Sequence, residues 1–395
     1  MADYAFNTVK HLRVERGALS RLDMHVEEFC QRMGVAEQRA GRRVLLVTDP
    51  YLVQSGLIAP GVEVLRAAGF DVAIFSDVQP DPADTVVLAA VAAATVQRAA
   101  LVIGIGGGSS MDVAKLVACL ANASADLQLS DLYGVNTRRV QRLPLLLIPT
   151  TAGTGSEVTG IAIVTTGEST KAGIVNESLL ADQVLLDAEL TLKLPAAVTA
   201  ATGIDAMVHA IEAYTSIHRK NPTSDLLARE ALRLLSGNLV RVVEHGDDID
   251  AREQMLLGAM LAGQAFENAP VAAVHALAYP LGGIFHIAHG VSNALVLPHV
   301  LRFNRAHAEP LYAELAEIIV PACSGSTSQR CDVLIDTLVD LMTATKIPQR
   351  LRDFDIAEKH INELAESAMT QQRLLRNNPR EVTLRDAADI YRQAF

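Results

Sequence analysis

Four short and largely apolar runs most constrain what this chain can become: Val44-Leu45-Leu46-Val47, Asp71-Val72-Ala73-Ile74-Phe75, Leu101-Val102-Ile103-Gly104-Ile105 and Leu145-Leu146-Leu147-Ile148. Each has strand length, and none alternates apolar with polar residues as a strand with one wet face would. Helix-length stretches lie between them, one running through Leu65 and another over 82–100. Unbroken apolar strands separated by helices predict a parallel sheet covered on both faces.

The texture changes near Leu190. Strand-like runs become scarce, and long Ala- and Leu-rich segments with helical spacing follow, as at 197–214 and 224–243. Pro195 stands where a helix would begin, behind a connector of Thr191 to Leu194. The reading is an α/β domain over 1–190 and an all-helical domain over 191–395. At ~150 residues per domain, a 395-residue chain accommodates both. Half of the residues are hydrophobic and 20% are charged, which excludes a mostly disordered chain.

The 34 Lys and Arg against 45 Asp and Glu leave a net charge of −11. Nucleic acid and anionic membrane surfaces both select a basic surplus, so neither is an expected partner. A small anion in a local pocket is compatible with that charge. Cys30, Cys119, Cys323 and Cys331 show no disulfide or C-x-x-C spacing and read as reduced intracellular thiols. The N-terminal stretch has no apolar signal region, and the most apolar window, near 86–96, is half of the ~20 residues that a bilayer requires. The expected location is the cytoplasm.

The third strand runs directly into Gly106-Gly107-Gly108-Ser109-Ser110-Met111-Asp112-Val113-Ala114-Lys115. Glycines permit a sharp turn and a close approach, and the following helix points free N–H groups at the loop. That is a pyrophosphate cradle, although a strand-to-helix turn of this kind can also carry no ligand. It departs from the dinucleotide fingerprint, because the third glycine position is Ser109, and no Walker Gly-Lys-Ser/Thr follows. Asp49, at the end of the first strand, can accept from both ribose hydroxyls of adenosine and would repel a 2′-phosphate. Here the acid precedes the glycine loop, so the topology is a variant. Asp49 is also a plausible turn residue before Pro50. A second loop, Pro149-Thr150-Thr151-Ala152-Gly153-Thr154-Gly155-Ser156-Glu157-Val158-Thr159, offers hydroxyl and amide donors at the carboxyl end of another buried strand, where α/β sheets bind ligands.

In the helical half, Asp205 and His209 are i and i+4 on one helix face and can share an ion. Five of the eleven histidines fall between 275 and 307. His275 and His289 would lie on one long helix, but Pro280 and Gly282-Gly283 are expected to break it and fold the imidazoles back. One carboxylate with three imidazoles suits Fe(II) or Zn(II), and no cysteine lies nearby, which favours a catalytic ion with an open position. His286 and His299 compete for the fourth place.

Taken in order, Gly106-Gly107-Gly108-Ser109-x-x-Asp112-x-Ala114-Lys115, the 149–159 loop, Thr202-Gly203-Ile204-Asp205-Ala206-x-x-His209-Ala210-Ile211-Glu212, His275-Ala276-x-x-x-Pro280-Leu281-Gly282 and His289-Gly290-x-x-Asn293-Ala294 resemble the iron-containing (group III, iron-activated) alcohol dehydrogenases. Asn378-Pro379-Arg380 fits as well, and the resemblance spans nearly the whole chain. This family includes lactaldehyde reductase and 1,3-propanediol dehydrogenase.

The resemblance implies a Rossmann-like variant of the dehydroquinate synthase type that binds dinucleotide, followed by an all-helical metal-binding domain. It implies Asp205, His209, His275 and His289 as metal ligands. It implies Asp49, Asp81, Gly106, Gly107, Gly108, Ser109, Thr150, Thr151, Thr154 and Lys171 as cofactor contacts, with NAD preferred over NADP. His289, Tyr279 and Phe266 fall at catalytic positions, with Phe266 lining the nicotinamide pocket. The implied assembly is a homodimer or larger homo-oligomer.

The implied reaction is the reversible oxidation of a primary alcohol to an aldehyde by hydride transfer, with the metal polarising the alcohol oxygen. Tyr279 stands where many members carry a second histidine thought to shuttle the proton, and its pKa near 10 suits it poorly to act as a base at neutral pH. Water, the cofactor ribose, Tyr279 and His286 are the candidate proton routes. Ile161 stands where lactaldehyde reductase has a polar substrate contact, so the pocket reads as less polar. The rival readings are a 4-hydroxybutyrate-type hydroxyacid dehydrogenase, a maleylacetate reductase, an NAD-metal lyase and a metallohydrolase.

Overall fold

The computed structural model describes residues 3–35, 42–123, 127–167 and 170–395. The chain divides into two compact units, Asn7–Thr151 with Ser156–Thr191, and Leu192–Phe395 with Met1–Phe6 and Ala152–Gly155.

The first unit contains β1 (Leu12–Val14), α1 (Leu22–Met33), β2 (Arg43–Val47), α2 (Pro50–Gln54), α3 (Ala59–Ala67), β3 (Asp71–Phe75), α4 (Asp84–Gln97), β4 (Leu101–Gly106), α5 (Gly108–Leu120), β5 (Gly134–Val135), β6 (Leu145–Pro149), β7 (Ile161–Thr166), β8 (Thr170–Val175) and β9 (Gln183–Leu186). Six strands form one sheet in the order β1-β9-β6-β4-β2-β3, and every neighbouring pair is parallel. The four strands expected from sequence are β2, β3, β4 and β6. The apolar residues of β2, β4 and β6 are wholly buried, as strands covered on both faces must be. Edge strand β3 leaves Asp71 and Ile74 exposed.

The stretch through Leu65 forms two helices. Gly56, with φ of 72°, ends α2, and α3 restarts at Ala59. A small second sheet pairs β7 with β8 in antiparallel fashion and adds β5. Neither β9 nor this small sheet stands out in the hydropathy pattern. β9 has four residues, one of them the buried Gln183, whose amide oxygen accepts from Arg32.

The second unit is helical: α6 (Ala196–Thr215), α7 (Pro222–Glu244), α8 (Ile249–Asn268), α9 (Ala273–Phe285), α10 (His289–Ile319), α11 (Thr327–Ala344), α12 (Ile361–Met369), α13 (Gln372–Leu375) and α14 (Leu384–Ala394). α6 is buried along nearly its whole length, which accounts for its alanines and glycine. A Cβ at Gly203 would lie 2.4 Å from Leu239 Cδ1, so α7 packs against α6 only because that atom is missing.

The expected break at Pro280 is corrected. α9 runs through Pro280 and Gly282-Gly283 to Phe285, and the chain turns at His286, which has φ of 55° and caps the helix. Proline removes a single N–H from the helix interior, and packing retains the helix around it. No helix among the described residues is long and apolar enough to cross a membrane.

Candidate functional site

On α6, Asp205, His209 and Glu212 occupy i, i+4 and i+7, so one buried helix face carries all three. His275 lies in the first turn of α9, and His289 is the first residue of α10. The turn at His286 brings those two helix starts together. The ligand atoms of Asp205, His275 and His289 all lie within 4.8 Å of one another. Asp205 Oδ1 is 3.6 Å from His289 Nε2, 3.7 Å from His275 Nε2 and 3.9 Å from His209 Nε2.

Asn293, one turn along α10, donates to Asp205 Oδ1 at 2.6 Å. Its amide nitrogen is also 3.4 Å from His275 Nε2 and 3.3 Å from His289 Nε2. A donor group thus sits where the lone pairs of three residues converge, the arrangement that a cation requires. His209 is stacked between His275 and Phe266, with ring centroids 4.7 and 4.4 Å away. Phe266 is buried and covers one face of His209, while the Tyr279 ring lies 6.0 Å from that of His289. His286 is exposed, His299 is half-buried, and neither joins the cluster.

The electrostatics suit a metal. Burial holds the His209 and His275 imidazoles below their usual range, and hence neutral with a free lone pair. Burial alone would push the Asp205 carboxyl up, but His209, His289, His275 and the Asn293 amide together draw it below its ordinary value, so it is ionised. Glu212 was not singled out from sequence. Its carboxylate accepts from Ala272 N at 2.9 Å and Val274 N at 2.7 Å, and its Oε2 lies 2.7 Å from His275 Nδ1. A hydrogen-bonded Nδ1 leaves Nε2 as the ligating atom. The donor chemistry, the neutral imidazoles and the converging lone pairs all fit a divalent ion.

In the first unit, adjacency of β2 and β4 brings Asp49 beside the glycine loop. Asp49 Oδ1 caps α2 by accepting from Leu52 N at 3.0 Å, so its turn role is real. The other oxygen, Oδ2, lies 3.5 Å from where a Cβ on Gly106 would be. Gly106 has φ of 153°, and that Cβ would also meet Ser110 Oγ at 2.6 Å. Gly104 does a different job: a Cβ there would lie 2.7 Å from both Ala114 and Leu147, so its absence lets α5 pack tightly on the sheet.

Gly107, Gly108 and Ser109 are half-exposed at the start of α5, where backbone N–H groups are free for an anion. Thr150 N donates to Gly106 O at 2.9 Å, which brings the second loop to the first. Thr151 lies against Gly107, and its buried hydroxyl, like that of Thr48, has no partner among the described residues. Partnerless hydroxyls beside an open cradle fit a polar ligand. Thr154 belongs to the helical unit, on the Ala152–Gly155 segment. Lys171 pairs with Asp81 at 2.6 Å.

Beneath the cradle, Lys115 is wholly buried. It donates to Ser156 Oγ at 2.7 Å and Ile161 O at 2.6 Å, and its ammonium is 3.4 Å from Asp112 Oδ1. Asp112 in turn accepts from Ser156 Oγ and Ile163 N, so α5 and the chain after the second loop share one buried network.

Comparison with known proteins agrees with this chemistry. Residues 15–188 match the family model "Iron-containing alcohol dehydrogenase", and residues 199–395 match "Fe-containing alcohol dehydrogenase family, C-terminal". The chain is 43% identical over 360 residues to Long-chain-alcohol dehydrogenase 1 of Geobacillus thermodenitrificans (strain NG80-2), covering 90% of each protein. It is 37% identical over 374 residues to the 1,3-propanediol dehydrogenase of Klebsiella pneumoniae, covering 94% of each. A crystal structure of a 1,3-propanediol oxidoreductase superposes with a TM-score of 0.92 at 36% identity, covering 100% of both chains. With the two family models matching residues 15–188 and 199–395, the chain belongs to the iron-containing alcohol dehydrogenase family.

Proposed function

We propose that this protein is an NAD-linked primary alcohol dehydrogenase in which Asp205, His209, His275 and His289 hold a catalytic Fe(II). The observation that carries the reading is Asp205 Oδ1 with three imidazole Nε2 atoms 3.6, 3.7 and 3.9 Å away in a buried site. Zn(II) suits the same donors; iron is our assignment. When bound, the metal supplies Lewis acidity that makes the alcohol proton easier to lose, and the nicotinamide supplies a hydride acceptor.

The chain's own residues do the rest. Asp205 provides the compensating negative charge, and burial keeps the His209 and His275 imidazoles unprotonated. Phe266 walls off one face of His209 from water. The Asp49 carboxylate receives the ribose hydroxyls and repels a 2′-phosphate, which favours NAD over NADP. N–H groups at the start of α5, with Gly106 to Ser109 around them, receive the pyrophosphate. Thr150, Thr151 and Thr154 would offer hydroxyls to the cofactor, and Lys171, held in an ion pair by Asp81, would meet its pyrophosphate. Tyr279 serves as a hydrogen-bonding hydroxyl near His289, and the proton leaves through water.

The substrate class we favour is an apolar primary aliphatic alcohol. Tyr279 replaces the histidine that many members carry and Ile161 the polar contact of lactaldehyde reductase, which makes the pocket less polar, and the relative with 43% identity bears the name of a long-chain alcohol dehydrogenase. We further propose a cytoplasmic homo-oligomer with no nucleic-acid or membrane partner. The test is an alcohol and aldehyde panel with NAD and NADP, run on metal-stripped enzyme reconstituted with Fe(II) or Zn(II). Fe(II)- and NAD-dependent turnover that improves with alkyl chain length is expected. Turnover by stripped enzyme, or preference for a hydroxyacid, would overturn it.

A further inference from the structure

We infer that Glu212 is a positioning residue, a buried clamp that fixes His275 in the orientation and tautomer needed to ligate. The inference rests on the metal-centre reading above. Glu212 is itself buried, and its two carboxylate oxygens meet three groups from one short stretch of chain: Ala272 N, Val274 N and His275 Nδ1. Ala272 is the N-cap of α9 and has no side-chain oxygen to cap with, so the first turn would otherwise leave buried N–H groups unpaired. A carboxylate from α6, 60 residues earlier, fills that role.

The same carboxylate receives the Nδ1 proton of His275. The proton is thereby held on Nδ1, and the Nε2 lone pair faces Asp205 Oδ1 at 3.7 Å. Asp205 and His209 contribute donor atoms from the same α6 face, so a single helix face supplies two ligands and orients a third. One group thus couples the start of α9 to the geometry of the ion. A purely structural cap would hold the helix without regard to which imidazole nitrogen carries the proton.

The variant that separates these roles is Glu212→Gln, which keeps size and one accepting oxygen. Its amide nitrogen turns a donor toward groups that themselves donate. In competition with a chromophoric chelator, we expect apparent Fe(II) and Co(II) affinity to fall 10–100-fold, with an altered Co(II) absorption spectrum. Glu212→Asp should recover part of both. Far-UV circular dichroism checks that the variants are folded.

Independently, 15N spectra of histidine-labelled wild-type protein, stripped of metal, should show His275 protonated on Nδ1, which keeps the inference testable even if the variants fail to fold. A folded Glu212→Gln with wild-type affinity and Co(II) spectrum, or a wild-type His275 protonated on Nε2, would overturn the clamp. Asp205→Ala and His289→Ala are the controls. If they bind metal as the wild type does, the ligand set itself is wrong and the clamp falls with it. If they are impaired while Glu212→Gln is not, only the clamp is lost.

Discussion

Asp49 and Gly106, 57 positions apart, meet at the carboxyl ends of adjacent parallel strands, with Asp49 Oδ2 3.5 Å from the place of the missing Gly106 Cβ. The second oxygen of Asp49 is taken by the start of α2. Structural and recognition roles are therefore split between two atoms of one carboxylate. Asp49→Asn separates them, because asparagine caps as well as aspartate does. We expect unchanged thermal stability, NAD binding weakened by about 10-fold or more, at ~1.5–3 kcal/mol for hydrogen bonds to a charged group, and NADP binding improved. Calorimetric titration with both cofactors checks this.

Gly290→Ala tests the seating of His289. A Cβ at Gly290 would lie 2.2 Å from Ala201 O, a backbone atom of α6 one turn before Asp205. The start of α10 must then move off α6, and His289 moves with it. Overpacking of this kind costs about 1–3 kcal/mol. Lower denaturant resistance should come together with weaker metal binding in a chelator titration. Loss of stability with intact metal binding would contradict the link.

Metal removal should register as lost stability as well as lost turnover. An ion held at 100 times its dissociation constant stabilises the folded state by about 2.7 kcal/mol. Chelation should lower the melting temperature of the wild type and leave His275→Ala unmoved, because that variant has little bound ion to lose. Scanning calorimetry with and without chelator separates the two.

Glu157 predicts a pH signature. Burial raises its carboxyl from 4.5 to about 7, a penalty on the charged form that nearby Lys115 offsets only in part. A raised carboxyl pKa gives stability that is complete below pH 4.5 and is lost as pH climbs toward 7. Glu157→Gln does not titrate. Its stability relative to the wild type, followed by thermal melting, should therefore rise between those limits and level off above them, by about 3 kcal/mol. Parallel curves for the two proteins from acid to neutral pH would refute it.

The legible parts of this chain were those governed by local spacing. Three buried strands and one edge strand announced themselves as short, largely apolar runs, and Asp205 with His209 as an i, i+4 pair. The glycine loop was visible because Gly106 needs a conformation that other residues resist. Glu212 occupies a spacing just as regular, yet its partners lie at the start of a helix 60 residues later, and no local pattern encodes that meeting. Asn293 was hidden in the same way, since its importance is a hydrogen bond to Asp205, 88 residues earlier. Pro280 misled for the opposite reason. Local chemistry said break, and packing around α9 overruled it.

The face that Asp205, His209 and Glu212 share on α6 also predicts where this protein tolerates insertion and deletion. Each added residue turns a helix by about 100°. Insertion of one residue between 205 and 212 would swing part of the set away from the rest, whatever residue was chosen. Length changes among homologues should accordingly collect in loops such as the one between α10 and α11. The seven-residue interval on α6 should be invariant in length, a constraint on spacing that substitution scanning, position by position, would never reveal.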